Sequence, residues 1–425
     1  MMNSSFARYE SYKDSGTAWL GQIPRHWEVR RVKDELANLD YKRIPLSGEV
    51  RERMENPQFD YYGASGIIDK VDDYIFDEPL ILLGEDGANL LARSSPLAFI
   101  ARGKYWVNNH AHILRPYTGE LSFFCYQLES FDYTILVSGS AQPKLTAGQL
   151  NNILLRVPPL LEQKVIADYL DTKTAQIDRK IDLLTQKADK YRELRQTLIN
   201  ETVTRGLDKS AVTKDSEIDW IEQIPAHWEV KRVKEIGKIV LGKMLDNSPG
   251  EDKFYRSYLK SKNIGWLTVD MSSVEQMYFT QAEMKSYRLK KGDLLLSEGG
   301  EVGKTSYWEE ELDECYIQNS VQKVTVSQEN HPRYFLYQSF MLGGIKYYDS
   351  IVNQVSIKHL TKEKLSRVLW LCPPFPEQKA IANYLDEKTT HIDQIISTLN
   401  NQIEKLQELR KTLINEVVTG QIKVI

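Results

Sequence analysis

Three short motifs in this 425-residue chain hold residue types that could do chemistry. Gly299–Thr305 reads GGEVGKT. A phosphate-cradling loop needs G-x-x-x-x-G-K-[ST], so that backbone N–H groups and the lysine surround the phosphates. The first glycine of that pattern falls on Glu298, and Glu301 inside the loop would repel phosphate; a tight turn between strands is the better reading. Cys372–Phe375 reads CPPF, close to the Asn/Asp-Pro-Pro-Tyr/Phe loop of adenine methyltransferases. Cysteine offers the target amine neither an amide nor a carboxylate, no glycine-rich cofactor fingerprint accompanies it, and the matching stretch, Val157–Leu160, reads VPPL. A Pro-Pro helix entry accounts for both. Asn108–His112, NNHAH, puts two histidines on one face of a strand. With no third ligand near in sequence, they read as structural or base-contacting rather than metal-binding. No Ser/His/Asp grouping, paired-carboxylate motif or P-D…E-x-K nuclease pattern stands out, so no catalytic, cofactor-binding or metal site is expected.

Composition narrows the class. Hydrophobic residues make up 41% and charged residues 27%, ordinary for a globular protein. No apolar run approaches the roughly 18 residues that cross a bilayer, and the amino terminus lacks a signal-peptide core. Cys125, Cys315 and Cys372 are far apart, which fits a reducing compartment and predicts a cytoplasmic protein without membrane contact. A net charge of −4 does not advertise a nucleic-acid binder. Such a ligand would require basic residues concentrated on one face, or charge supplied by partner subunits.

Self-similarity is the strongest signal. WLGQIPRHWEVRRVK (Trp19–Lys33) returns 201 residues later as WIEQIPAHWEVKRVK (Trp220–Lys234), with 11 of 15 positions identical. PPLLEQKVIADYLDTKTAQID (Pro158–Asp178) returns 215 residues later as PPFPEQKAIANYLDEKTTHID (Pro373–Asp393), with 14 of 21 identical. ELRQTLINETVT (Glu193–Thr204) returns as ELRKTLINEVVT (Glu408–Thr419) at the same offset. Residues from about 35 to 157 and about 235 to 372 show no extended match. The chain is therefore a tandem duplication of a variable domain and a constant segment: 1–157, 158–215, 216–372 and 373–425. The period is too long for a solenoid.

The constant segments read as helices. Neither proline nor glycine occurs between Pro159 and Gly206, or between Pro376 and Gly420, room for about 42 residues each. Leu170, Ile177, Leu184, Tyr191 and Leu198 recur every seventh residue, with Ile181 and Ala188 in the alternating seam. Leu385, Ile392, Leu399, Leu406 and Leu413 repeat this, with Ile396, Ile403 and Val417. Sustained heptads with charged flanks predict a coiled coil. Arg195 and Arg410 fall on the seam at equivalent positions; either their stems pack while their heads reach solvent, or they fix the register. Parallel helices would oblige the second variable domain, about 40 Å across, to bridge about 60 Å of helix. Antiparallel helices need no such bridge, and put the variable domains at opposite ends of a rod with a pseudo-twofold axis.

The variable domains carry short apolar runs bounded by turn residues and read as α+β. Tyr74–Leu91 gives a strand, a Gly-rich turn and a second apolar run; Leu97–Pro116 looks like a hairpin; Arg288–Trp308 repeats strand, Gly-rich turn, strand.

With these residues in hand, the chain resembles the specificity subunit of type I restriction–modification enzymes over nearly its whole length. The twin W-x-x-x-I-P-x-H-W-E-V and P-P-x-x-E-Q-x-x-I-A-x-Y-L-D segments carry the resemblance, with the alternation of variable and constant regions. GEDGA (Gly84–Ala88), NHAHILRP (Asn109–Pro116) and SAQPKLT (Ser140–Thr146) look like first variable domains of that family; YLKSKNI (Tyr258–Ile264) and GDLLLSEGGEVGK (Gly292–Lys304) look like second ones. The resemblance implies two target-recognition domains on two long antiparallel coiled-coil helices, each reading half of a split, asymmetric site in double-stranded DNA. It further implies two modification subunits carrying adenine methylation and S-adenosylmethionine, and restriction subunits that cleave unmodified DNA with ATP and Mg, as in phage defence. This chain itself would hold no cofactor and be non-catalytic.

Arg, Lys, Asn and Gln suit base edges and phosphates. The candidate DNA-contacting residues are Arg102, Lys104, Asn108 and Asn109 in the first domain; Lys260, Lys262, Asn263 and Lys304 in the second; and Gln142 and Lys144, with the loosely corresponding Gln354 and Lys358, ahead of the helices. The rival readings are a single-chain nuclease or methyltransferase, and a protein-binding structural adaptor with two variable domains.

Overall fold

The computed structural model describes residues 7–137, 143–352 and 358–424. The chain forms two compact units: residues 1–185 with 401–425, and residues 186–400. Two long helices, Leu160–Arg205 and Phe375–Val418, each contribute one stretch to each unit. Both begin where the sequence leaves the Pro-Pro pair, since proline's missing N–H costs nothing in a first turn.

The first unit is built on an antiparallel four-stranded sheet in the order Leu36–Asn38, Ala111–Pro116, Leu80–Gly84, Ala98–Ala101. Every residue of Leu80–Gly84 is buried because this strand has a core on each face. Ile81 and Leu83 enter a large cluster with Trp27, Phe123 and the long helices; Leu80 and Leu82 enter a smaller one with Phe76 and Tyr105. That two-sided burial replaces alternation with an unbroken apolar run. A second sheet joins Gly66–Val71, Phe59–Gly63 and Tyr105–Val107.

The second unit repeats the plan. Its four-stranded sheet runs Gly237–Leu241, Val321–Val326, Leu294–Ser297, Thr305–Tyr307. Its three-stranded sheet runs Glu275–Thr280, Lys253–Leu259, Tyr316–Ile317. Leu294 and Leu296 face one cluster and Leu295 another. The α+β, duplicated architecture expected from the sequence is present.

Two local expectations need correction. Leu97–Pro116 is not a hairpin: Ala98–Ala101 and Ala111–Pro116 flank Leu80–Gly84 on opposite sides, and Tyr105–Val107 belongs to the other sheet, parallel to Phe59–Gly63. The apolar run after Gly84 forms the short helix Asn89–Ala92, not a second strand. Apolar runs separated by glycines specify strands, but not which neighbour each strand takes.

Within each unit the start of one long helix packs on the end of the other. Ile166, Ala167 and Leu170 share a cluster with Leu413, Ile414 and Val417; Ile199 and Val203 share one with Ile381, Ala382 and Leu385. The helices are antiparallel. Leu170, Leu385, Ile392, Leu399 and Leu413 are buried, and Ile177, Ile181, Leu184, Tyr191, Leu198, Ile396, Ile403 and Leu406 are half-buried. Arg410 pairs with Asp178 at 2.8 Å, and Arg195 with Asp393 at 2.6 Å. These are the same pair in its two duplicated copies. Being partly solvated, each is worth about 0–1 kcal/mol; their reciprocal placement favours a role in register over one in stability.

Each long helix ends at a left-handed glycine, Gly206 (φ +72°) and Gly420 (φ +74°). A Cβ on Gly420 would stand 2.5 Å from the ring of Pro24, whereas one on Gly206 would first meet the Glu377 carboxylate at 2.8 Å. Gly420→Ala should therefore destabilise the first unit by about 2–4 kcal/mol, strain and clash together. Gly206→Ala should cost the second unit less, since a glutamate end can move. Hydrogen exchange resolved by unit measures both, and equal losses would contradict the clash.

Candidate nucleic-acid interface

The repeated motifs are one another's partners. In the first unit the Trp27 indole N–H donates to Glu162 Oε1 at 3.0 Å, Tyr9 Oη donates to the same oxygen at 2.6 Å, and His26 Nε2 lies 2.7 Å from Glu162 Oε2. In the second unit Trp228 and His227 hold Glu377 at 3.1 and 2.8 Å. The neighbouring glutamines cap inward: Gln163 Oε1 accepts from Glu120 N at 3.1 Å, and Gln378 Oε1 from His331 N at 2.8 Å. So I-P-x-H-W and P-P-x-x-E-Q staple each variable domain to its helix. Their identity across the duplication is explained by this fit. Glu162 is almost enclosed, with its side chain 8% exposed, while Glu377 is 26% exposed. Glu162→Ala strands two buried donors and should cost about 2–4 kcal/mol; Glu377→Ala should cost about half as much, because water can reach the donors left behind. Urea unfolding that ranks them the other way would contradict this clamp.

At one end of the first unit's four-stranded sheet, three distant segments meet. The Glu85 N–H donates to His110 O (2.9 Å), and the Leu145 N–H donates to Glu85 O (2.7 Å). His112 Nε2 lies 2.8 Å from Leu145 O. Glu85 is gripped by Arg43 and lies 3.2 Å from Lys144 Nζ. Asp40 meets His112 Nδ1 at 2.6 Å and accepts from Ile113 N at 2.9 Å, and Asp86 meets His110 Nδ1 at 2.8 Å. Burial opposes the charged forms of Asp40 and Glu85. The partners outweigh it, chiefly His112 for Asp40 and Arg43 for Glu85, and hold both carboxyls below their usual range. Carboxylates so depressed stabilise the fold above the unfolded value of about 4 and lose that contribution as pH falls through their folded values. Asp40→Asn should therefore weaken the first unit at pH 7 by about 1–3 kcal/mol, with the gap to the unaltered chain closing in acid below about pH 4. A pH-independent gap in acid unfolding curves would speak against it.

The second unit has the same junction. The Glu298 N–H donates to Ser320 O (2.9 Å), the Leu360 N–H donates to Glu298 O (2.8 Å), and the Gln322 side-chain amide takes the place of His112 on the Leu360 carbonyl. Asp86 bridges Lys144 as Gly299 bridges His359. The true counterpart of Lys144 is therefore His359, not Lys358. Burial pushes the Glu298 carboxyl up, with His359 opposing and Glu363 adding to the rise; no described cation plays the part that Arg43 plays for Glu85.

The expected DNA-contacting residues divide accordingly. Asn109 and Lys144 lie at the first junction. Asn108 is there too, but it is buried and its side chain accepts from His110 N at 2.8 Å, shaping the turn. Arg102 and Lys104 lie at the opposite end of the sheet, since Leu80 pairs with Ala101 and Gly84 with Ala111. The Lys104 ammonium sits over the Tyr74 ring, 4.6 Å from its centre. In the second unit Lys260, Lys262, Lys304 and Lys358 all border the junction: Ser261 N donates to Ser320 Oγ at 2.9 Å, Ser297 N to Lys304 O at 2.9 Å, and Lys358 directly precedes His359. Asn263 is fully buried, with its amide spent on Lys260 N and Asp270 O at 3.0 and 2.9 Å, so it holds the loop and faces no ligand. Gln142 and Gln354 lie outside the described residues. Lys260 pairs with Glu275, Lys304 with Glu301 (2.6 Å) and Lys358 with Asp349 (2.5 Å). Most of these cations are thus already matched by a carboxylate.

Sequence reasoning missed Arg43, Glu85, Asp86 and His359 as parts of these junctions. The signal for His359 was present: Lys144-Leu145-Thr146 and His359-Leu360-Thr361 both lead into a short helix that the threonine caps. Arg43 had no such mark.

Comparison with known proteins accords with this geometry. Residues 24–190 and 225–405 match the family model of the type I restriction modification DNA specificity domain. A type I restriction enzyme specificity subunit from Haemophilus influenzae is 27% identical over 391 residues, spanning 88% of this chain and 91% of that protein. One from Methanocaldococcus jannaschii is 23% identical over 424 residues, spanning 95% and 94%. A chain solved in work on complex assembly and conformational transition of the type I R-M system shares the fold, with a TM-score of 0.67 at 15% identity over 93% of this chain and 98% of that one. Since the family model takes in most of the chain and does so once in each half, the chain belongs to the type I restriction modification DNA specificity family, whose part in such a system is recognition of the DNA target.

Proposed function

We propose that this chain reads a bipartite, asymmetric target in double-stranded DNA, one half through each variable segment, 1–157 and 216–372. The constant segments, 158–215 and 373–425, set the distance between the half-sites and dock two modification subunits. Those subunits bind S-adenosylmethionine and methylate adenine; restriction subunits, using ATP and Mg, join to cut unmodified DNA. The observation that carries this reading is the recurrence of one sheet-end junction in two segments whose sequences otherwise diverge, with different side chains standing on it.

The charge balance shapes the expected binding. With net charge −4 and most junction cations paired, the isolated chain should bind duplex DNA weakly and with a shallow dependence on salt, because it neutralises few phosphates. Modification subunits then supply the missing phosphate contacts. Reconstitution tests the proposal. The complex with modification subunits should methylate only duplexes carrying one split motif, while the pure chain alone neither methylates nor cuts. Variable domains that capture proteins and leave the motif unaffected would point to an adaptor instead.

A further inference from the structure

We propose that the sheet-end junction is where each unit reads bases, with His110 and Lys144 the base-contacting side chains of the first unit and His359 that of the second. This rests on the function proposed above and assigns its residues. The two junctions share their backbone hydrogen bonds, and His112 and Gln322 fill the same post on the Leu145 and Leu360 carbonyls. What differs is the set of groups standing on that frame: Asp86, His110 and Lys144 in one unit, Gly299, Ser320 and His359 in the other.

The surroundings favour bases over phosphates. A phosphate contact needs charge and little aim, and a carboxylate behind the cation cancels the charge. Lys144 lies 3.2 Å from Glu85, and His110 Nδ1 lies 2.8 Å from Asp86, yet these side chains remain 57% and 49% exposed. Glu85 thus aims the Lys144 ammonium at the expense of net charge, and Asp86 orients the His110 ring, which suits hydrogen bonding to a neutral base edge. Among the described residues the Lys144 ammonium pairs with Glu85 alone, and His110 presents Nε2. Lysine matches the paired acceptors N7 and O6 of guanine in the major groove, so the first half-site contains a guanine at the position Lys144 reads. In the second unit Gly299 has no side chain, and the Ser320 hydroxyl lies 2.5 Å from Gln318 Oε1 while accepting from Ser261 N. His359, exposed beside them, is left to reach outward.

The test is methylation by the complex with modification subunits on duplex pools randomised in one half-site at a time. Lys144→Ala and His110→Ala should each relax the preference at one position of the first half by roughly 10–100-fold and leave the second half unchanged. His359→Ala should do the reverse, Lys144→Arg should retain guanine, and Lys104→Ala should change neither half. A uniform fall across all sequences, or an unaltered motif in the Lys144, His110 and His359 alanine variants, would overturn the assignment while leaving the proposed function intact. If the unaltered complex shows no sequence preference, both fall.

Discussion

Exchanging residues 35–157 for the corresponding segment of another specificity subunit should replace one half of the recognised sequence and leave the other half as it was. The exchanged segment carries the first unit's whole reading frame: Arg43, the Gly84–Ala88 turn, His110, His112 and Lys144. What remains is the staple, His26 and Trp27 on one side and Glu162 and Gln163 on the other. Both sides of that contact lie outside the exchanged segment, so the exchange leaves the anchor in place. Each mismatched base pair costs about 1–3 kcal/mol, so several altered positions should lower methylation of the original site by at least about a thousandfold. Mapping methylated sites genome-wide reads the outcome, and simultaneous change in both half-sites would defeat the idea of independent reading units.

Adding residues within a long helix should have an effect of comparable size that depends on their number. Two residues inserted after Lys187 turn everything downstream by about 200°. Arg195 then points away from Asp393, and Leu198 and Ile199 leave the seam, so the complex should fail to assemble. Four residues add one turn and about 40°, a phase error that a coiled coil absorbs by local unwinding. The helix also lengthens by about 6 Å. Since duplex DNA rises about 3.4 Å per base pair and resists stretching, the half-sites should keep their sequences while the spacer between them grows by about one or two base pairs. An active four-residue variant with an unchanged spacer would show that the helices do not set that distance.

The duplication, the two helices and their seam could be read from the sequence because they depend on periodicity and on the absence of Pro and Gly, both local properties. The staple was half legible: its two motifs stood out as repeats, but nothing local says that Trp27 seeks Glu162, 135 residues away. The junction was less legible still. Leu80–Gly84 is apolar throughout, so it declares a buried strand but not its neighbours, and Tyr105–Val107 departs to another sheet although the polar turns on either side of it, 102–104 and 108–110, look like those of a meander within one sheet. Asn263 shows the same limit from the other side. An asparagine that follows Lys260 and Lys262 has the composition of a binding loop, and only its burial reveals that its amide holds the loop together.

The passage of each long helix through both units has a consequence for synthesis. The second unit, residues 186–400, is contiguous in sequence. The first is closed by Leu413, Ile414, Val417 and Val418 against Trp27 and Leu170, and by the Tyr12 hydroxyl on the Gly420 carbonyl at 3.0 Å, across 408 residues of chain. The part of the protein made first therefore has to wait for the part made last, and this long-range closure is entropically slow to find. A ribosome that stops after Asn400 releases a finished second unit and an unfinished first one. Damage at the carboxyl terminus should thus be felt first in the half of the molecule where the amino terminus begins.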